Sequence, residues 1–197
     1  MYSKIILVTN WRSGGAFISN IIGAYPATIL HPQPLKVLLG MSKIASNSHK
    51  LNESMAYLTS LLKCDFSFVK KKNGSYSWRG LPFFATNVPT WRHKCGRHCS
   101  HPQFLEKFCK LFPVHVFKED RLDLEVVQPL LEDPELASYL KIVYLARDPR
   151  AVYSSRQQIG WCKKAPICSN GGTLCQTLVQ DYHSAISLQA QFPNRIK

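Results

Sequence analysis

A chain of 197 residues is long enough for one domain with a sizeable core, and its 45% hydrophobic and 11% aromatic content is that of a globular protein. With 25 Lys+Arg against 12 Asp+Glu, the formal charge is +13 at pH 7. That surplus calls for an anionic partner, whether nucleic acid, a membrane surface, a polyanionic glycan or a multiply phosphorylated small molecule, because net charge reports attraction without naming its object. No stretch approaches the roughly 18 apolar residues of a membrane-spanning helix, the start Met-Tyr-Ser-Lys lacks signal-peptide architecture, and no repeat or linker divides the chain.

Lys4 to Thr9 (KIILVT) is a β-branched run of the kind that forms a strand buried on both faces. A glycine-containing turn follows at Asn10 to Ala16, and Phe17 to Tyr25 reads as a short helix stopped by Pro26. Apolar spacing predicts helices over Leu35 to Ile44 and Glu53 to Lys63. Asp65 to Ser100 shows no period and reads as loops over a site. Pro102 to Leu111 predicts a helix with proline in its first turn, Val114 to Lys118 a second buried strand, Leu124 to Leu131 a helix disturbed at Pro129, and Pro134 to Tyr139 a further helical turn. Lys141 to Ala146 (KIVYLA) is the clearest strand. Pro149 then opens a helix carrying Ala151 to Gln157, and Thr173 to Gln191 is a long amphipathic helix. Asn194 to Lys197 reads as the start of one more strand and predicts a single domain, 1–197, that is incomplete at its C-terminus.

This alternation implies an α/β fold with three layers, α/β/α, around a central parallel sheet with right-handed crossovers. Ligands of such sheets bind beyond the carboxyl ends of the strands. Two motifs fall there. In VTNWRSGGAFISNII, Val8 to Ile22, a turn runs into a helix whose free N–H groups and positive dipole end suit a phosphate or sulfate. Gly14 and Gly15 let the backbone approach an oxyanion, Arg12 supplies a forked cation and Ser13 a hydroxyl. The loop lacks the lysine of a nucleotide-hydrolysing P-loop. In RDPRAVYSSRQ, Arg147 and Arg150 flank Asp148-Pro149, and Ser154, Ser155 and Arg156 follow at helical spacing, close enough to converge on a second phosphate. An ordinary ion pair tying the turn is the competing reading for Asp148 and Arg150. Two anion cradles on one sheet edge point to a ligand with phosphates at both ends.

The stretches WRSGGAF after ILVT, HVFKEDRLDLEVVQPLLEDPEL and LKIVYLARDPRAVYSSR resemble the Golgi carbohydrate sulfotransferases, in particular the branch that sulfates the 6-hydroxyl of N-acetylglucosamine or galactose. The resemblance implies a P-loop-like sulfotransferase fold and a donor, 3′-phosphoadenosine 5′-phosphosulfate. Its 5′ end would be gripped by Arg12, Ser13, Gly14, Gly15, Ala16 and Phe17, and its 3′-phosphate by Arg147 and Ser155. It implies a catalytic electrostatic role for Arg12, with in-line geometry and stabilisation of the leaving oxygen doing most of the work. Lys118 and Arg121 become candidates for acceptor (substrate) or donor contact, with a salt-bridged structural role as the competing reading. It further implies a glycan acceptor on a glycoprotein or glycosaminoglycan rather than nucleic acid. No metal is implied, and the location would be the Golgi lumen, as a type II membrane protein whose anchor lies outside this chain.

Two departures stand out. The family usually places an acidic residue before a proline where this chain has Gln33 in ILHPQPL, and glutamine is no base, so His31 becomes the candidate catalytic base. The family loop usually reads Arg-Ser-Gly-Ser-Ser-Phe, and Gly15 with Ala16 removes two hydroxyls at roughly 1–3 kcal/mol each if the facing oxygens stay unsatisfied. A sulfotransferase-like protein that binds donor nucleotide or glycan without turnover is therefore an alternative. A zinc module at His93, Cys95, His98, Cys99 and His101 is another, against which a loop disulfide explains the cysteines more simply. Seven cysteines, an odd number, and the sequons at Asn52 and Asn73 fit an oxidising secretory compartment. Trp11, Trp91 and Trp161 could stack on a sugar or adenine, or serve as core and loop anchors.

Overall fold

The computed structural model describes residues 3–68, 71–72, 75–76 and 101–197. Trp91, His93, Cys95, His98, Cys99 and the Asn73 sequon lie outside the described residues. Strand β1 spans Ser3–Thr9, and its consecutive Ile6, Leu7 and Val8 are fully buried, as a strand covered on both faces requires. It runs parallel to β5 (Val114–Glu119) on one side and to β6 (Leu140–Leu145) on the other, while β2 (Thr28–Pro32) adds to the far side of β5. The order β2-β5-β1-β6 is an all-parallel, four-stranded sheet of an α/β fold. A separate two-residue hairpin pairs β3 (Lys71–Lys72) with β4 (Ser75–Tyr76).

The helices follow the apolar spacing in most places. Gly15–Gly23 (α1) packs across β1, β2 and β5, Lys36–Leu39 (α2) is a single turn, and Leu51–Leu62 (α3) and Pro102–Lys110 (α4) supply Leu58, Leu61, Leu62 and Leu105 to the core. Leu124–Val127 is a 3-10 turn that continues into Gln128–Glu132 (α5), so the break falls just ahead of Pro129. Pro149–Gln157 (α6), the short Gly160–Lys163 (α7) and Pro166–Ser169 (α8), and Gly171–Gln191 (α9) complete the chain. Ile196 pairs in parallel with Ile142, so the strand start expected at the C-terminal end forms beside β6.

Strand β2 appears where no element was predicted, and two expectations change. The helix expected over Leu35 to Ile44 stops at Leu39, with Gly40 at φ 56, and Ile44 bridges to Leu122 instead. Pro134 to Tyr139 forms turns rather than a helix, with Leu136 N–H donating to the Asp133 carbonyl.

Two disulfides hold the described residues together. Cys64–Cys109 joins the ends of α3 and α4 across 45 residues, and Cys162–Cys168 joins α7 to α8. Cys175 is free and exposed. No described helix is long and apolar enough to cross a membrane.

Glu119, at the last position of β5, is fully buried. One of its oxygens accepts the Leu35 N–H at 2.7 Å and the other has no partner among the described residues. Burial pushes its pKa up to about 8, against the pull of that N–H. Between about 4.5, its ordinary value, and about 8 the folded state holds the proton that the unfolded state releases, so this group's contribution to stability fades as pH rises through that window. Thermal unfolding at pH 5 and pH 8.5 should show Glu119→Gln close to the wild type in acid and more stable than it in alkali.

Candidate functional site

The register of the sheet makes the site. Thr9 stands opposite Leu145 and Val8 opposite Glu119, so β1, β5 and β6 end level and deliver their following residues to one edge. Beyond that edge lies a cavity of about 480 Å³. Among the described residues its wall includes five cations, Arg12, Lys36, Lys118, Arg121 and Arg147, and a single carboxylate, Asp120. The loop backbone at Gly14 to Ala16 and the side chains of Trp11 and Trp161 also line it.

Arg12 and Gly14 both adopt positive φ, 71° and 93°, which turns the loop into α1. Ile18 is the first residue to donate back, to the Gly14 carbonyl at 3.1 Å, leaving the N–H groups of Gly15, Ala16 and Phe17 without intrahelical partners. Ser13 is buried and its hydroxyl has no partner among the described residues. Arg12 is exposed; its Nε donates to the Ser155 hydroxyl at 3.0 Å, and its carbonyl accepts from Arg147 at 3.3 Å. The two motifs therefore touch through Arg12. Arg147 is available because Asp148 pairs with Arg150 at 2.7 Å and caps α6 by accepting the Arg150 N–H. Arg156, by contrast, is buried and tied to the Trp11 and Cys168 carbonyls at 3.1 and 3.2 Å, which makes it a strut. Trp11 packs on the Cys162–Cys168 disulfide and meets Trp161 edge to face, so both tryptophans serve the loop's support as well as the cavity wall.

His31 does not join this group. It sits in β2, 1% exposed, with its ring stacked 4.1 Å from that of Phe117. His115 Nε2 lies 3.1 Å from both the Cys109 and Phe112 carbonyls and must donate, so His115 Nδ1 accepts and His31 Nε2 donates across 3.2 Å. Burial, then His115 and Lys4, holds His31 well below its usual range, and burial brings His115 down to about 4. A core histidine with its Nε2 proton committed to a neighbour does not present a base to the cavity, and the expectation for His31 is corrected accordingly. Its misreading follows from missing β2.

Lys118 and Arg121 do reach the cavity, each paired with Asp120. Gln33 is there too, held at φ 55 by its N–H bond to the Lys118 carbonyl at 2.8 Å. Sequence reasoning missed Lys36 and Asp120. Lys36 was placed inside a longer helix, and Asp120 was passed over between the candidates Lys118 and Arg121. Of the zinc candidates only His101 is described. Among the described residues the sole Cys/His cluster is Cys64, Cys109 and His115, whose two cysteines are bonded to each other.

Gly15 is dictated by its neighbour. A Cβ there would stand 2.5 Å from Thr9 Cγ2 and 3.1 Å from Lys118 Cε. The Thr9 hydroxyl is anchored on the Leu145 carbonyl at 3.2 Å, so its methyl cannot swing away freely. A side chain at position 15 is thus excluded by Thr9. Gly15→Ser should destabilise the fold by about 1–3 kcal/mol, and Thr9→Ser, which deletes only the offending methyl, should recover most of that loss. A double-mutant cycle of denaturant unfolding measures the coupling.

Fold and cavity together define an α/β domain with a cation-lined cavity at a helix N-terminus. No protein-family model matches the chain. It is 30% identical to carbohydrate sulfotransferase 4 of Mus musculus over 174 residues, 78% of this chain and 44% of that protein. It is 29% identical to carbohydrate sulfotransferase 7 of Rattus norvegicus over 187 residues (77% and 38%), and 26% identical to carbohydrate sulfotransferase 5 of Homo sapiens over 178 residues (79% and 42%). The chain belongs to the carbohydrate sulfotransferase family. It spans less than half the length of these relatives.

Proposed function

We propose that the protein transfers a sulfuryl group from 3′-phosphoadenosine 5′-phosphosulfate to a sugar hydroxyl, the 6-hydroxyl of N-acetylglucosamine or galactose, on a glycan acceptor in the Golgi lumen. The observation that carries this reading is the cavity itself: five cations and one carboxylate at the carboxyl edge of a parallel sheet, around a loop that ends in a helix N-terminus. Such a site suits a ligand with more than one anionic group. The residues fit the donor. Arg12 has terminal nitrogens without partners among the described residues, Ser13 has an unpartnered hydroxyl, and the N–H groups of Gly15 to Phe17 are free of the helix. These would hold its 5′ end, and Arg147 with Ser155, both in contact with Arg12, its 3′-phosphate.

The donor supplies the sulfuryl group; this chain's residues orient it and neutralise charge. Negative charge grows on the departing phosphate oxygen, and Arg12, Lys118 and the loop N–H groups are the donors arranged to meet it. The disulfides suit an oxidising lumen.

The test is transfer of labelled sulfate to a panel of N-acetylglucosamine and galactose acceptors, with binding of adenosine 3′,5′-bisphosphate measured on the same sample. Both should be found, and Arg12→Ala should weaken nucleotide binding by about tenfold or more, the scale of a lost charge-assisted hydrogen bond. Binding without transfer would favour a donor-binding protein without turnover, and absence of both would reject the reading.

A further inference from the structure

Transfer to a hydroxyl requires a group to take the hydroxyl's proton, and with His31 in the core the cavity must supply another. Asp120 is the sole carboxylate among the described residues of its wall. Resting on the sulfotransferase reading, we infer that Asp120 is the proton acceptor for the sugar hydroxyl and that Gln33 positions it.

Asp120 follows the end of β5 and Gln33 follows the end of β2, and the two side chains meet across the gap between those strand ends. Gln33 Nε2 donates to Asp120 Oδ2 at 2.5 Å. The same Oδ2 accepts from Lys118, and Oδ1 accepts from Arg121. A carboxylate offers four acceptor positions, so the described residues fill three and leave one on Oδ1. An incoming hydroxyl can donate there. Gln33 keeps its place through a strained backbone, φ 55, stapled to the Lys118 carbonyl. A non-glycine residue held in that conformation beside a cavity is built to aim its side chain.

Lys118 links this carboxylate to the anion loop. Its stem lies 3.1 Å from the point where a Cβ on Gly15 would stand, while its ammonium pairs with Asp120. In the step proposed, the acceptor oxygen forms its bond to sulfur, the bond from sulfur to the donor's phosphate oxygen breaks, and the hydroxyl proton passes to Asp120. The proton moves late, once bonding to sulfur has made the hydroxyl acidic. Protonation of Asp120 then releases the Lys118 charge toward the departing phosphate oxygen. Proton uptake and leaving-group stabilisation thus share one ion pair, and the gain exists only as the reaction proceeds.

Asp120→Asn should lower kcat by about 10²–10⁴, the usual share of a general base, while nucleotide affinity stays within about threefold of the wild type. Because this change leaves Lys118 and Arg121 without their counter-charge, the double exchange Gln33→Glu/Asp120→Asn is measured alongside. It keeps one carboxylate and one amide between the strand ends and should raise kcat at least about tenfold above Asp120→Asn. Transfer by Asp120→Asn within about threefold of the wild type would overturn the assignment. So would a loss of nucleotide affinity as large as the loss of kcat, or an exchange variant that binds nucleotide with no recovery of kcat. A wild-type protein that transfers to no acceptor would instead overturn the sulfotransferase reading, and this inference with it.

Discussion

β1 lies in parallel between β5 and β6, and nearly everything of functional interest depends on the register of those two pairings. With Val8 opposite Glu119 and Thr9 opposite Leu145, three strands stop at the same height. A slip of one residue would reverse every side chain along β1 and place Ile6 and Val8 on the wrong face. The register also sets the loop. Thr9, the last residue of β1, anchors its hydroxyl on β6 and presses its methyl toward Gly15, so the strand's final side chain fixes how closely α1 begins to it.

Bringing five cations to one cavity creates repulsion that the surrounding structure must absorb. Lys118 and Arg121 share Asp120, and Arg121 also donates to the Gly40 carbonyl at 2.6 Å. Arg147 leans on a backbone carbonyl. Asp148, the nearest carboxylate in sequence, is drawn off to Arg150. A second shell anchors the loop from behind. Asn10 bonds to Asp181 of α9 at 3.3 Å and to Lys43 at 3.2 Å, while Arg156 and the Cys162–Cys168 disulfide brace Trp11. Arg12 and Arg147 keep their charge available because they bond to a hydroxyl and to a backbone carbonyl rather than to a carboxylate.

The sheet was legible in the sequence where a strand is a clean β-branched run, as in β1, β5 and β6, and illegible where it is not. β2, with a histidine inside, a proline as its last residue and another just ahead of it, carries no such signal, and no strand is predicted there. Both arginine motifs could be assigned to the carboxyl edge of the sheet because each directly follows a strand that could be read. Lys36 and Asp120 were not, since their positions depend on how β2 and β5 end side by side. Asp120 in particular sits in a run of four consecutive charged residues, Lys118 to Arg121, all of them buried.

The chain's two departures from the family pattern look alike once neighbours are considered. Gly15 carries no side chain, and the space it vacates is held by the methyl of Thr9 and the stem of Lys118. Gln33 carries no charge, and its amide bonds to the carboxylate of Asp120. In each case the missing group at one position has a counterpart on the adjoining strand end, reached by direct contact. Counting hydroxyls or carboxylates along a single motif therefore understates what the cavity holds, because the sheet edge assembles its chemistry across strands. The unit to compare between related chains is the pair, Thr9 with Gly15 and Gln33 with Asp120, because the two members of each stand in direct contact.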